Sequence, residues 1–312
     1  MPKDIVIDCD VGIDDALAIM LALGSKELRI RAVTTVCGNA EVEKTSENAL
    51  KVLQAFGAEG IPVARGHARP LKRELYIAGY VHGSDGLGDS NLPKPSLELD
   101  SRHAVDLIIE EASRGDLHLV CTGPLTNLAS ALIRAPQIVE KLREVTVMAG
   151  AFGLTPYGFG NVTPVSEFNA YVDPEAAKIV FGSGLRLTIV GLDVTTDPAA
   201  ILTKEKYDKI VTLPVRGARF LKRISEKVMR SWGSFSLHDP MTVAYVVDPT
   251  LLNVREYPVD VETDGMIARG QTIADRRPWP EVVEFKGRAN VATAVDGPRF
   301  LSVFEERAMR NL

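Results

Sequence analysis

The chain has 312 residues, of which 46% are hydrophobic and 25% charged, with a formal net charge of −5. That is enough apolar sequence to bury a large core, and no run approaches the roughly 18 apolar residues that cross a membrane. The acidic balance, with a pI near 5.7, lacks the basic stripe of a nucleic-acid surface, so the expected partner is a small molecule rather than nucleic acid or membrane. The start, Met1-Pro2-Lys3, leads straight into a strand without a signal-peptide pattern, and a cytoplasmic location is expected.

The first strand, predicted over 4–8, carries Ile5-Val6-Ile7 and gives way to Asp8-Cys9-Asp10-Val11-Gly12-Ile13-Asp14-Asp15 before a helix over 14–23. Four carboxylates around one glycine either protonate or share a cation. Asp14 or Asp15 alone would read as a helix cap, but capping cannot use all four. Alternation places Asp8 and Asp10 on one side, so at least one is expected to face the crevice where open α/β sheets hold ligands. Metal-dependent chemistry is the leading expectation.

Further strands are predicted at 30–36, 118–121, 144–149 and 186–191, separated by amphipathic helices at 41–56, 101–114 and 173–181. This βα alternation predicts one domain over 1–312, an open, mostly parallel, Rossmann-like α/β sheet with helices on both faces and the active site at the C-terminal strand edge. Polar groups gather at those strand ends: Gly38-Asn39, Thr122-Gly123-Pro124-Leu125-Thr126-Asn127 and Met148-Ala149-Gly150. An insertion over 151–169 ends in Glu167-Phe168-Asn169, two hydrogen-bonding side chains flanking an apolar ring, which suits a hydroxyl-rich ligand with a flat face. His82 lies in a glycine-rich stretch expected to be a mobile lid. His238 precedes Asp239-Pro240 and a helical run from Met241 to Val247. Cys9, Cys37 and Cys121 lack metal-ligand spacing and read as buried free thiols.

Taken together, Asp8-x-Asp10-x-x-x-Asp14-Asp15, Gly38-Asn39, Thr122 to Asn127, Glu167-Phe168-Asn169 and His238-Asp239-Pro240 resemble, in order and spacing, the inosine–uridine-preferring nucleoside hydrolases. The resemblance spans nearly the whole chain. It implies a calcium ion held by Asp10, Asp15, Asp239 and the backbone carbonyl of Thr122, and hard oxygen donors without thiolate or imidazole suit calcium. It further implies hydrolysis of a ribonucleoside to ribose and free base, with Asp10 as general base and His238 as general acid, its ordinary pKa near 6.5 suiting a donor around neutrality. Asp14, Asn161, Glu167 and Asn169 would hold ribose hydroxyls, with Asn39 and Met148 lining the sugar site and His82 the base pocket. A homo-oligomer, tetramer or dimer, is implied as well.

Two alternatives stand beside this reading. A haloacid-dehalogenase-type magnesium phosphatase would use Asp8-Cys9-Asp10 but leaves the Glu167 and His238 motifs unused, and a binding protein would hold ribonucleosides without cleaving them. By the resemblance, purine-only relatives carry Trp immediately before the metal-binding Asp, where this chain has His238, so the pyrimidine-preferring or broad-specificity branch is expected, with uridine and cytidine favoured and purine ribonucleosides also admitted. The Tyr or Gln that related enzymes place on the helix before the His-Asp pair, in contact with the base, maps without gaps onto Glu226 and Arg230, and a shift of register would bring Trp232 or Phe235 to the pocket instead.

Overall fold

Side chains of the first strand, β1 (Lys3–Cys9), alternate between two cores: Ile5, Ile7 and Cys9 pack on one side and Val6 on the other. A strand buried on both faces belongs in the interior of a parallel sheet. In the computed structural model, which describes residues 2–279 and 285–312, β1 is paired in parallel with β2 (Leu28–Thr35) and β4 (Leu117–Cys121). Beyond β2 lies β3 (Val63–Arg65), and beyond β4 lie β5 (Leu142–Val147) and β6 (Leu187–Ile189), all parallel. A short separate ladder pairs β7 (Leu202–Thr203) with β8 (Ser234–Phe235). The far edge is completed by β9 (Leu252–Val261), β10 (Thr272–Ala274) and β11 (Gly287–Val295). The main sheet has nine strands in the order β10-β9-β11-β6-β5-β4-β1-β2-β3, antiparallel only where β9 meets its two neighbours.

The helices are α1 (Ile13–Leu23), α2 (Val42–Ala55), α3 (Gly79–His82), α4 (Ala104–Ser113), α5 (Thr126–Arg134), α6 (Phe168–Val172), α7 (Pro174–Phe181), α8 (Leu192–Thr195), α9 (Lys204–Ile210), α10 (Arg216–Trp232), α11 (His238–Val247) and α12 (Gly297–Phe304). Buried side chains of α1, α2, α10 and α11 share one core, and those of α4, α5 and α7 share the other, so helices cover both faces. Helix α1 is apolar nearly all round, the mark of a helix enclosed by its neighbours, and its contacts are chiefly with α11 and the C-terminal segment.

Each of the five predicted strands and four predicted helices is present, with ends shifted by at most three residues. The antiparallel edge β9–β11 and the long helix α10 were not anticipated. The helix expected from Met241 starts earlier, at His238, which brings the His-Asp pair into its first turn. The three cysteines are buried and free, as expected. Among the described residues no helix is long and apolar enough to cross a membrane.

Candidate active site

The strand order reverses direction at β1, whose neighbours β2 and β4 lead away to opposite edges, and the loops diverging there leave a crevice. Asp8, still within the strand, is turned to structural use: its Oδ1 accepts from Thr34 Oγ1 at 2.6 Å and Asn127 Nδ2 at 2.8 Å. Asp10, just past the strand, enters the crevice floor. Its Oδ2 accepts the Asn39 backbone N–H at 2.7 Å, and its Oδ1 is buried without a partner. A Cβ at Gly38 or Gly123 would run into this carboxylate, so both neighbours must be glycine for Asp10 to sit there.

Asp14 and Asp15 open α1, where free N–H groups and the positive end of the helix dipole favour negative charge. Asp15 accepts from the Gly12 N–H at 2.9 Å, Asn39 Nδ2 at 3.1 Å and Thr122 Oγ1 at 2.7 Å. Oxygens of Asp14, Asp15 and Asp239, the last from the first turn of α11, lie within 4.8 Å of one another. Asp14 therefore belongs to the acidic centre and lines the cavity as well. Asp10 adjoins this trio closely enough for Asp14 and Asp15 to repel its charge.

Burial, reinforced by that repulsion, pushes Asp14 up to about 7 and holds Asp10 and Asp239 well above the ordinary carboxylate range. Burial raises Asp15 as well. Four enclosed carboxylates, two of them with a partnerless oxygen, form a site whose mutual repulsion and hard oxygen donors suit a cation.

Above the floor opens a cavity of about 290 Å³. Asp14 reaches it from the first turn of α1, Asn39, Thr122 and Met148 from the loops after β2, β4 and β5, and Asn161, Glu167, Phe168 and Asn169 from the insertion. His82, His238 and Asp239 line it too, while Asp10 and Asp15 lie beneath its wall. Glu167 caps α6, taking the N–H groups of Asn169, Ala170 and Gly150 at 2.8–3.1 Å, which fixes its carboxylate at the cavity. Asn169 Nδ2 donates to the Thr122 and Met148 carbonyls at 2.8 and 3.0 Å, tying the insertion to the ends of β4 and β5.

The histidines differ from expectation. His82 is not part of an exposed lid: it closes the short helix α3, is buried, and its Nδ1 accepts the Ile13 N–H at 3.1 Å. Burial, with His238 nearby, lowers it to about 3. Burial lowers His238 to about 4 rather than leaving it near 6.5, so both rings are neutral at neutral pH in the free site. His238 Nδ1 lies 2.8 Å from Thr195 Oγ1, a contact with no sequence signal beyond a polar residue at the end of α8. Asp193 was missed for the same reason. It accepts the N–H groups of Phe152, Leu154 and Thr155 at 2.6–3.3 Å and anchors the start of the insertion.

At the cavity mouth, Tyr80 joins Trp232, Ser234, Phe235 and Ser236. The gapless counterparts Glu226 and Arg230 do not line the cavity; they pair with each other at 3.2 Å on the outer face of α10.

A switch-point crevice with a buried acidic floor and a cavity sized for a small molecule places the chain among α/β proteins that act on small ligands at their strand ends. The family model for inosine-uridine preferring nucleoside hydrolase matches residues 5–302. An inosine-uridine preferring nucleoside hydrolase of Leishmania major is 40% identical over 310 residues, covering 96% of this chain and 95% of that one. A pyrimidine-specific ribonucleoside hydrolase, RihA, of Shewanella sp. (strain MR-7) is 40% identical over 285 residues, covering 88% and 87%. The solved structure of a plant nucleoside hydrolase, the PpNRh1 enzyme, superposes with a TM-score of 0.92 at 34% identity, covering 99% of both chains. The chain belongs to the inosine–uridine preferring nucleoside hydrolase family, and its activity is that of a ribonucleoside hydrolase. The phosphatase alternative is set aside by this match.

Proposed function

We propose that the chain, as one domain over residues 1–312, uses calcium to hydrolyse the N-glycosidic bond of ribonucleosides, with uridine and cytidine favoured. The observation that carries the metal reading is the buried acidic floor, in which Asp10 Oδ1 and Asp14 Oδ1 have no partner. Asp10, Asp15, Asp239 and the Thr122 carbonyl would hold the ion, with Asp14 in the same centre. A bound calcium supplies positive charge to the floor, oxygen coordination for ribose hydroxyls, and increased acidity of nearby water.

Asp10 is assigned as the general base: Asn39 fixes one of its oxygens through the backbone N–H, and the other has no partner in the protein and adjoins the centre where the ion and its water would sit. Asp14, Asn161, Glu167 and Asn169 orient the ribose, with Asn39 and Met148 beside it, and Phe168 supplies an apolar surface. Their negative and polar groups favour a sugar ring that gains positive charge as the bond breaks. His238, neutral in the free site and held through Nδ1 by Thr195, offers its other nitrogen to the departing base, and His82 lines the base side. The pyrimidine preference is supported by His238 standing where purine-only relatives are expected to carry Trp. A cytoplasmic location is part of the same proposal, and the homo-oligomer, tetramer or dimer, rests on the family resemblance alone.

Base release from uridine, cytidine, inosine, adenosine and deoxyuridine, measured with calcium and with excess chelator, tests the reading. Chelation abolishes turnover, and deoxyuridine falls below uridine by up to about 10⁴-fold, since the missing hydroxyl leaves site groups unpaired. Full activity in chelator removes calcium from the proposal. A specificity constant for inosine about tenfold or more above that for uridine removes the pyrimidine preference.

A further inference from the structure

The base side of the cavity is built by a segment other than the one to which the resemblance points. Along α10, Ala218, Leu221, Ile224, Val228 and Met229 are buried, which fixes the helix's rotation and sends Glu226 and Arg230 outward to solvent. The helix then stops at Gly233, whose φ of +71° is a left-handed conformation costly to any side chain. Nothing would crowd a Cβ there, so the requirement is conformational rather than steric. The chain reverses into β8, where Phe235 pairs with Leu202 and is buried in the core. The Lys204 N–H donates to the Gly233 carbonyl at 3.0 Å. This turn holds Trp232 at the cavity while leaving its indole 55% exposed.

Tyr80, 63% exposed, lines the same cavity from α3. Helix α10 is tied to the loop that follows α3, and that loop closes back on α3 through the Gly88 N–H to the His82 carbonyl at 2.7 Å. Arg223 donates to the Ser90 and Asn91 carbonyls at 2.9 and 2.8 Å, Lys227 pairs with Asp89, and Gly88 packs so closely on the Ile224 carbonyl that a Cβ would not fit. Two large exposed aromatic side chains on tethered elements at a cavity mouth are a flat apolar surface awaiting a flat ligand.

We infer that Trp232 is the residue on which the nucleobase stacks, with Tyr80 completing the aromatic mouth, and that it sets base affinity in place of the outward-facing positions 226 and 230. The inference rests on the ribonucleoside reading. Stacking uses the π-face that every base has, so Trp232 raises affinity for purine and pyrimidine nucleosides together, and discrimination between them is left to the polar side chains deeper in the cavity.

The chain has two tryptophans, Trp232 and Trp279, so in Trp279→Phe protein all indole fluorescence comes from Trp232. Titrating this calcium-loaded protein with pseudouridine, a carbon-linked nucleoside without an N-glycosidic bond, gives saturable quenching. Trp232→Leu, which keeps an apolar side chain but removes the ring, raises KM for uridine and inosine by about 5- to 150-fold, the range of base–aromatic stacking, with kcat changed much less; Trp232→Phe recovers most of the loss. Absence of quenching, or a KM in Trp232→Leu within about twofold of the parent, overturns the inference. An inactive parent enzyme would instead overturn the ribonucleoside reading.

Discussion

Asn39 serves the acidic floor as much as the sugar wall: its backbone N–H holds Asp10 and its side chain holds Asp15. One residue after β2 thus fixes two carboxylates that leave β1 and enter α1. Asp10 is the most exacting position in this arrangement, since a Cβ at either Gly38 or Gly123 would collide with it. Asp10→Asn preserves shape and the contact to Asn39 while removing the basic oxygen. Its kcat is expected to fall by roughly 10²–10⁴. Elemental analysis of the same sample separates a lost base from a lost metal, and native turnover with calcium still bound would require another base.

At the scale of elements, Asn127 joins four parts of the fold. Its amide donates to Asp8 of β1 and to the Thr35 carbonyl of β2, its oxygen accepts the His67 N–H after β3, and it sits itself on α5. Asn127→Ala would leave Asp8, whose Oδ2 already lacks a partner, dependent on Thr34 alone. A loss of about 1–3 kcal/mol is expected in denaturant unfolding, the usual cost of abandoning a buried polar partner. An unchanged midpoint would mean that water replaces the amide.

The site's strand-end motifs were legible because each is a short contiguous polar run ending an apolar one, and the parallel topology brings such ends to one edge. Thr195, Asp193 and the linking role of Asn127 were not, because each acts alone across tens of residues and only folding reveals its partner. Counting back from His238 to Glu226 and Arg230 failed because it assumed a helical phase that the buried stripe of α10 and the turn at Gly233 do not keep. His82 looked like part of a mobile loop for want of any local sign that the N-terminus of α1 would engage its ring.

For the whole molecule, the enclosed carboxylates link stability to both proton and metal. In the metal-free fold, burial raises Asp14 from 3.8 to about 7 and Asp8 to about 6, so above the usual 3.8 the folded state keeps protons that the unfolded chain has released. Their contribution is complete below 3.8 and is lost as pH rises through those values. His118, lowered to about 3, and His238, lowered to about 4, act in the opposite sense, contributing stability above 6.5 that is lost as pH falls. Calcium isolates the acidic floor because it replaces protons there. The rise in Tm on adding calcium is expected to be small near about pH 5 and to grow through about pH 7. Thermal unfolding across that range checks it, and a calcium effect that is constant or shrinks with pH would contradict the metal assignment.

The wall that carries Trp232 belongs to none of the nine main-sheet strands: it joins the end of α10, whose inner face packs in the core, to the two-residue ladder β7–β8. Bond-breaking groups and base-facing groups are therefore separately heritable. A descendant can tighten or loosen its grip on nucleobases in general by rewriting the short segment around Trp232, while the machinery at the strand ends passes down untouched.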